Sequence, residues 1–214
     1  TIPMNSSRCS LSYRRYNGPG GSATLRVGAA YGLFGHPFPR VAPRVPVQAL
    51  SPDSAVVSWG DPETIYAEHG RMPPIALFRA MMAGALPHEP AMAMLGVCLT
   101  AVEEGTIRLE IVPAPVHLDH AGRMHGGILA AITDTAAGYA IHTRLGLGWT
   151  AATLELHQGF VQPVTLATGH IVCIGRVTHL GRRTAVAEAD VIDANGDLYV
   201  RMGTTMIVRP PPQR

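Results

Sequence analysis

The stretch Gly127-Ile-Leu-Ala-Ala-Ile-Thr-Asp-Thr-Ala-Ala-Gly-Tyr-Ala-Ile141 constrains this chain more than any other. It reads as a helix that is apolar almost all the way round, and a helix of that kind is normally enclosed by other structure. It is short and carries Asp134 near its middle, so it does not read as a membrane span. Asp134 lies two turns in, too deep to serve as a cap. Burying a carboxylate without partners is costly or forces protonation. Either one stripe of the helix faces water or Asp134 has work to do. Its helical neighbours Ala130, Ala131, Ala137 and Gly138 offer no charge partner but leave space beside it.

The flanking sequence supplies the enclosure. Leu95–Val102 and Thr106–Val112 read as strands joined at Glu104-Gly105. After a loop from Pro113 to Met124 the helix runs from Gly127 to about Arg144. Four strand candidates follow, at 151–161, 166–178, 183–193 and 198–208. Asn195-Gly196 between the last two is a strong hairpin signal, and Gly181 marks the turn before it. In Thr184–Ile192 the residues Ala185, Ala187, Ala189 and Val191 share one face, with Glu188 and Asp190 on the other. A face of small residues lets a helix lie close. The pattern predicts an α+β fold, an antiparallel sheet wrapped around one long central helix. Upstream, Pro74 to Gly84 reads as a short helix, with Leu77, Phe78, Met81 and Met82 packed on the sheet.

Just before the long helix the chain reads Asp119-His-Ala-Gly-Arg-Met-His-Gly-Gly127. Two glycines at a loop-to-helix junction expose backbone N–H groups at the positive end of a helix dipole, which suits an anion or a developing oxyanion. Gly126 and Asp134 are eight residues apart, roughly 12 Å along a helix axis. One helix cannot easily present both to a single carbonyl. Two antiparallel copies can, so a reaction that uses both groups predicts a dimer with shared sites.

These residues resemble the hotdog-fold thioesterases of the phenylacetate-degradation type, in which Asn-x-x-Gly-x-x-His-Gly-Gly is followed by an Asp eight positions after the first paired glycine. Here the match is Asp119, Gly122, His125, Gly126, Gly127 and Asp134. It extends through Thr153 and Phe160-Val-Gln-Pro163 to His179-Leu-Gly-Arg-Arg183 and Thr204–Val208, covering roughly 90–208. The resemblance implies a hotdog fold and hydrolysis of an acyl-CoA thioester, with CoA as part of the substrate and no cofactor or metal. It assigns Asp134 as general base or nucleophile and the Gly126 N–H as oxyanion stabiliser. Thr153 would hold the attacking water, and His125 would support the oxyanion side. Gly127, His179, Gly181, Arg182 and Arg183 would bind substrate and CoA, Arg suiting phosphate. A homodimer, often paired into a tetramer, is implied. Leu129, Ile132, Tyr139 and Phe160 are candidates for the acyl pocket. One position departs from the family: an ionised Asp119 cannot donate the hydrogen bond that the usual Asn amide directs at the thioester. Either Asp119 is protonated, His120 takes over, or Gly126 acts alone. A non-catalytic acyl-CoA-binding or sensor module is the alternative reading.

The chain then divides into a Gly/Pro/Arg-rich extension at 1–73, expected to be poorly ordered, a short helix and linker at 74–90, the hotdog domain at 91–209, and a tail at 210–214. No acidic residue precedes Asp53, while Arg8, Arg14, Arg15, Arg26, Arg40 and Arg44 do. That composition fits a transit peptide or, more simply, an unstructured extension. A net charge of +2, with every basic residue an Arg, gives no reason to expect nucleic acid, and no membrane partner is expected. Cys9, Cys98 and Cys173 are widely spaced, which fits a reducing compartment such as the cytoplasm. The cluster His117, Asp119, His120 and His125 matches no common zinc spacing. Gly146-Leu-Gly148 follows a helix and precedes a strand, backwards for a dinucleotide motif. No Gly-x-Ser-x-Gly elbow is present.

Overall fold

A computed structural model describes residues 61–211, together with the backbone of two short hairpins, Arg14–Asn17 with Gly21–Thr24 and Gln48–Ser51 with Ser54–Val56. The expectation of a poorly ordered extension falls mostly outside the described residues. Its last part, placed within the extension at 1–73 in the sequence reading, forms helix α1, Pro62–His69. Asp61 starts it, its carboxylate accepting the N–H of Glu63 at 3.0 Å, with Pro62 in the first turn.

Helix α2 spans Pro74–Met82 and buries Leu77, Phe78 and Met81 as its apolar spacing predicts. Helix α3, Pro90–Leu95, occupies the start of what reads in sequence as strand. Pro90 opens it, and Gly96, at φ +66°, closes it in the left-handed region that glycine enters freely. Strand β1 therefore begins only at Cys98 and ends at Glu103, and β2 is Thr106–Ile111.

Helix α4 runs Gly126–His142, and β3, Thr150–Phe160, follows it. The expected strand at 166–178 starts late, because Leu166–Thr168 makes a 3₁₀ turn that ends at Gly169, φ +70°. The strand itself, β4, is Ile171–Leu180; β5 is Thr184–Asp193 and β6 is Leu198–Arg209. All six pair antiparallel in the order β1-β2-β4-β5-β6-β3. This is the α+β hotdog arrangement: the sheet curls around α4. The strand that follows the helix lies at the far edge, beyond β6.

The core forms where α4 meets β4 and β5. Ala136 and Ala137 on the helix and Ala185, Ala187, Ala189 and Val191 on the sheet are almost wholly buried, so small side chains bring helix and sheet close. Gly175 marks the tightest point. A Cβ there would stand 2.3 Å from the carbonyl oxygen of Ala136. Among the described residues no helix is long and apolar enough to cross a membrane.

β3 carries a bulge that decides what faces the helix. Its pairing with β6 runs Leu156 to Thr204 and Glu155 to Thr205, then Thr153 to Met206, skipping Leu154. On β6 the inward residues are Met202, Thr204, Met206 and Val208. Opposite them lie Gln158 and Leu156 before the bulge, and Thr153 and Ala151 after it. The extra residue switches the alternation of the strand.

Candidate active site

The bulge turns Thr153 towards the middle of α4, where its hydroxyl donates to Oδ1 of Asp134 at 2.8 Å. Asp134 is half-buried, on the stripe that α4 presents to β3. Oδ2 remains for another partner.

At the helix start His125 is the N-cap. Its Nδ1 accepts the N–H of Gly127 at 3.0 Å, so the proton of a neutral ring sits on Nε2. The cap thus engages Gly127 and leaves the N–H of Gly126 outside it. The ring of Phe160 covers Gly126: a Cβ on Gly126 would lie 3.0 Å from the far ring carbon. Phe160, expected for the acyl pocket, thus lies against the first residue of α4. Leu129 and Ile132, also expected there, are buried in the core instead. On a helix apolar on every side, sequence does not tell which face looks at the pocket.

Asp119 is committed to its own loop. Oδ1 accepts the N–H groups of Ala121 at 2.8 Å and Arg123 at 3.0 Å, and Oδ2 pairs with the Arg123 guanidinium at 3.1 Å. The Arg123 backbone bond leads, with the Ala121 bond and the guanidinium adding to it, in holding this carboxyl below its usual range despite some desolvation. Of the three ways round the missing amide, a protonated Asp119 fits least. His120 is exposed. His117 is buried, its Nδ1 accepting from the N–H of Ala114, and burial lowers its pKa despite a backbone hydrogen bond at Leu95.

The turn with His179, Gly181, Arg182 and Arg183 is exposed except for the partly covered Gly181. The carbonyl of Arg183 accepts from Val208, and Ala185 lies opposite Met206, itself opposite Thr153. The turn therefore stands at the Thr153 end of the sheet, displaced by two strand spacings, about 10 Å. Cys98 and Cys173 are buried, and burial pushes the Cys173 thiol far up, leaving it inert. Cys9 lies outside the described residues.

Beside Asp134 opens a cavity of ≈ 170 Å³, lined among others by Glu89, Tyr139, His142, Thr153 and Met206. Sequence reasoning did not place Glu89 or His142 here. His142 carries a signal, since Asp134, Gly138 and His142 recur every four residues along one helix face. Its Nε2 accepts from Ala151 at 3.2 Å and its Nδ1 donates to the carbonyl of Gly138 at 2.8 Å. Burial leads in lowering its pKa, so the ring is a neutral tie between α4 and β3.

Residues 121–200 match the family model of the thioesterase superfamily. The chain is 30% identical over 106 residues to the Halobacterium salinarum protein named "Putative esterase", a match spanning 47% of this chain and 68% of that one. Among solved structures, a mutant of the phenylacetic acid degradation protein PaaI from Thermus thermophilus is 27% identical, with a TM-score of 0.51 over 56% of this chain and 98% of that one. The PaaI protein of the E. coli phenylacetic acid degradation operon shares the fold, with a TM-score of 0.57 at 18% identity over 64% and 95% of the two chains.

Proposed function

Because the chain belongs to the thioesterase superfamily and is by class a thioester hydrolase, we propose that it cleaves acyl-CoA thioesters at sites shared by two copies of the chain. The observation that carries this reading is the 2.8 Å hydrogen bond from Thr153 to Asp134, at mid-helix beside an open cavity. A buried helix has no structural need of a carboxylate there. With Oδ1 held by Thr153, Oδ2 is the oxygen that takes a proton from water.

The water oxygen then attacks the thioester carbon, and the oxyanion that forms accepts a hydrogen bond from the Gly126 N–H of the other copy. The C–S bond breaks, the CoA thiolate takes the proton from Asp134, and the acid is released. Direct attack by Oδ2 on the carbonyl, through a mixed anhydride, is the variant route. Exposed Arg182 and Arg183 suit the CoA phosphates, with His179 and Gly181 shaping their turn.

Sharing between copies is supported by β3. It is an eleven-residue edge strand without a second strand partner among the described residues, and it exposes Leu154 and Phe160. A long edge strand left open invites pairing, and antiparallel pairing of two β3 strands would set one helix start against the other helix's middle. A cytoplasmic location is proposed from the wide spacing of Cys9, Cys98 and Cys173 along the chain.

The test is steady-state release of free thiol from a panel of acyl-CoA substrates. Wild type should turn over, and Asp134→Ala should lose at least about a thousandfold in kcat. Equal rates for the two proteins would refute the assignment. In a single turnover in heavy-oxygen water, label in the released acid supports the general base, and label in Asp134 supports the anhydride.

A further inference from the structure

Next to the Thr153–Asp134 bond a second polar contact joins α4 to β3, one residue back on the helix and five residues on along the strand. The hydroxyl of Thr133, 0% exposed, lies 2.8 Å from Oε1 of Gln158. It also lies 3.0 Å from the carbonyl oxygen of Leu129 and 3.1 Å from that of Ala130, so one proton serves three acceptors. Nε2 of Gln158 is buried and bonds to nothing among the described residues. Turned over, the amide would donate to Thr133 and leave its oxygen idle instead. In either orientation one buried polar atom goes unfilled, which destabilises, and an apolar pair of similar size would pack here without that loss. Stability alone does not explain the contact.

The strand offers an explanation. Leu154, Leu156 and Phe160 lie at even spacings, so alternation fixes which face of β3 meets the helix but not how far along the helix the strand sits. A slip of two residues, roughly 7 Å, keeps the same face inward. β3 is an edge strand, with β6 its one strand partner among the described residues. Two other ties to its neighbours are blind to such a slip, because on β3 they use backbone atoms that adjacent residues also carry. Thr204 donates to the carbonyl of Glu155 at 2.7 Å, and Ala151 donates to Nε2 of His142 at 3.2 Å. The Thr205 hydroxyl reaches the Glu155 carboxylate at 3.1 Å, but in solvent, where such a bond holds little. The Gln158 amide is not blind. A slip of two sets Leu156 or Phe160 against the Thr133 hydroxyl and carries Thr153 out of reach of Asp134.

Resting on the thioesterase reading above, we infer that Thr133 and Gln158 are positioning residues that set the axial register of β3 on α4. They thereby hold Thr153 at Asp134 and Phe160 at Gly126. The Thr153 bond cannot keep that register through a turnover by itself, because its acceptor gains and gives up a proton in the hydrolytic steps. The Thr133–Gln158 bond contains no titratable group and stays the same throughout. The spacing of five adds to the effect. Two residues five apart on a regular strand face opposite sides. Thr153 and Gln158 therefore both reach α4 only with the one-residue bulge at Leu154 between them.

The experiment replaces the pair with apolar side chains of like size, Thr133→Val together with Gln158→Met, in the full chain. The denaturation midpoint should equal or exceed that of wild type. Amides of β3 should nonetheless exchange with solvent deuterium at least about tenfold faster, with those of β4 and β5 unchanged. The kcat for acyl-CoA should fall at least about tenfold. Thr133→Ser should show the reverse pattern: loss of a buried methyl lowers the midpoint, while the hydroxyl remains and kcat stays close to that of wild type. A merely structural pair would move stability and activity together. Unchanged kcat or unchanged β3 exchange in the double variant would overturn the inference, as would a midpoint well below wild type. A fall in kcat in Thr133→Ser as large as in the double variant would overturn it too. If wild type released no thiol from any acyl-CoA, the thioesterase reading would fail, and β3 exchange would still decide whether the pair sets the register.

Discussion

Asp119 spends both carboxylate oxygens on its own loop, so the chain meets the thioester without the amide that the resembling family supplies at this position. The loop needs only Oδ1 for its two backbone N–H groups. Asp119→Asn keeps that oxygen as acceptor and turns the Arg123-paired oxygen into a donor. The expected outcome is a rise in kcat of up to roughly tenfold on the preferred acyl-CoA, at little change in KM. Steady-state kinetics checks it, and an unchanged or lower kcat would mean that Gly126 already supplies all the oxyanion stabilisation there is. At this scale Asp134 stood out by its place on an apolar helix and Thr153 only through the family resemblance; the structure joins the two by a hydrogen bond. Glu89 lies forty-five residues from Asp134 and reaches the cavity only through the fold. No local pattern marks it.

At the scale of elements, the close seat of α4 on the sheet depends on Gly175. Gly175→Ala would drive a methyl into the backbone of Ala136, which a rotamer change cannot relieve. The expected loss is about 3 kcal/mol of unfolding free energy, read as a lower denaturation midpoint at unchanged m-value. A shift of less than about 0.5 kcal/mol would show that the helix can ride outward freely. Alternation and turn residues made the helix and most strand positions legible beforehand, because each face of this sheet is chemically distinct. Two features stayed hidden. Strand alternation alone puts Thr153 on the same side as Glu155 and His157, away from the helix, and only the bulge at Leu154 reverses that. Helices α1 and α3 are too short for periodicity to show, and they are set mainly by their Pro starts and by Asp61 and Gly96.

For the whole molecule the central claim is that each site draws on two copies. Gly126 is the first residue of α4, after an extended His125, a position where proline is well tolerated. Gly126→Pro therefore removes the N–H at small conformational cost, once the exposed Phe160 ring shifts. Gly126→Pro and Asp134→Ala should each be inactive. Refolded together in equal amounts, they should recover about a quarter of wild-type activity, since half the dimers are mixed and each mixed dimer holds one intact site. No recovery, with mixed dimers shown by mass spectrometry, would place the whole site within one copy. The strand order has a further consequence, for a ribosome. β3 ends at Phe160, and its partner β6 begins only at Leu198. At about 5–20 residues per second that interval is roughly 2–8 s, during which a long strand waits with neither edge filled by its own chain. A newly made chain is then most exposed to the wrong neighbour at the strand that later meets the right one.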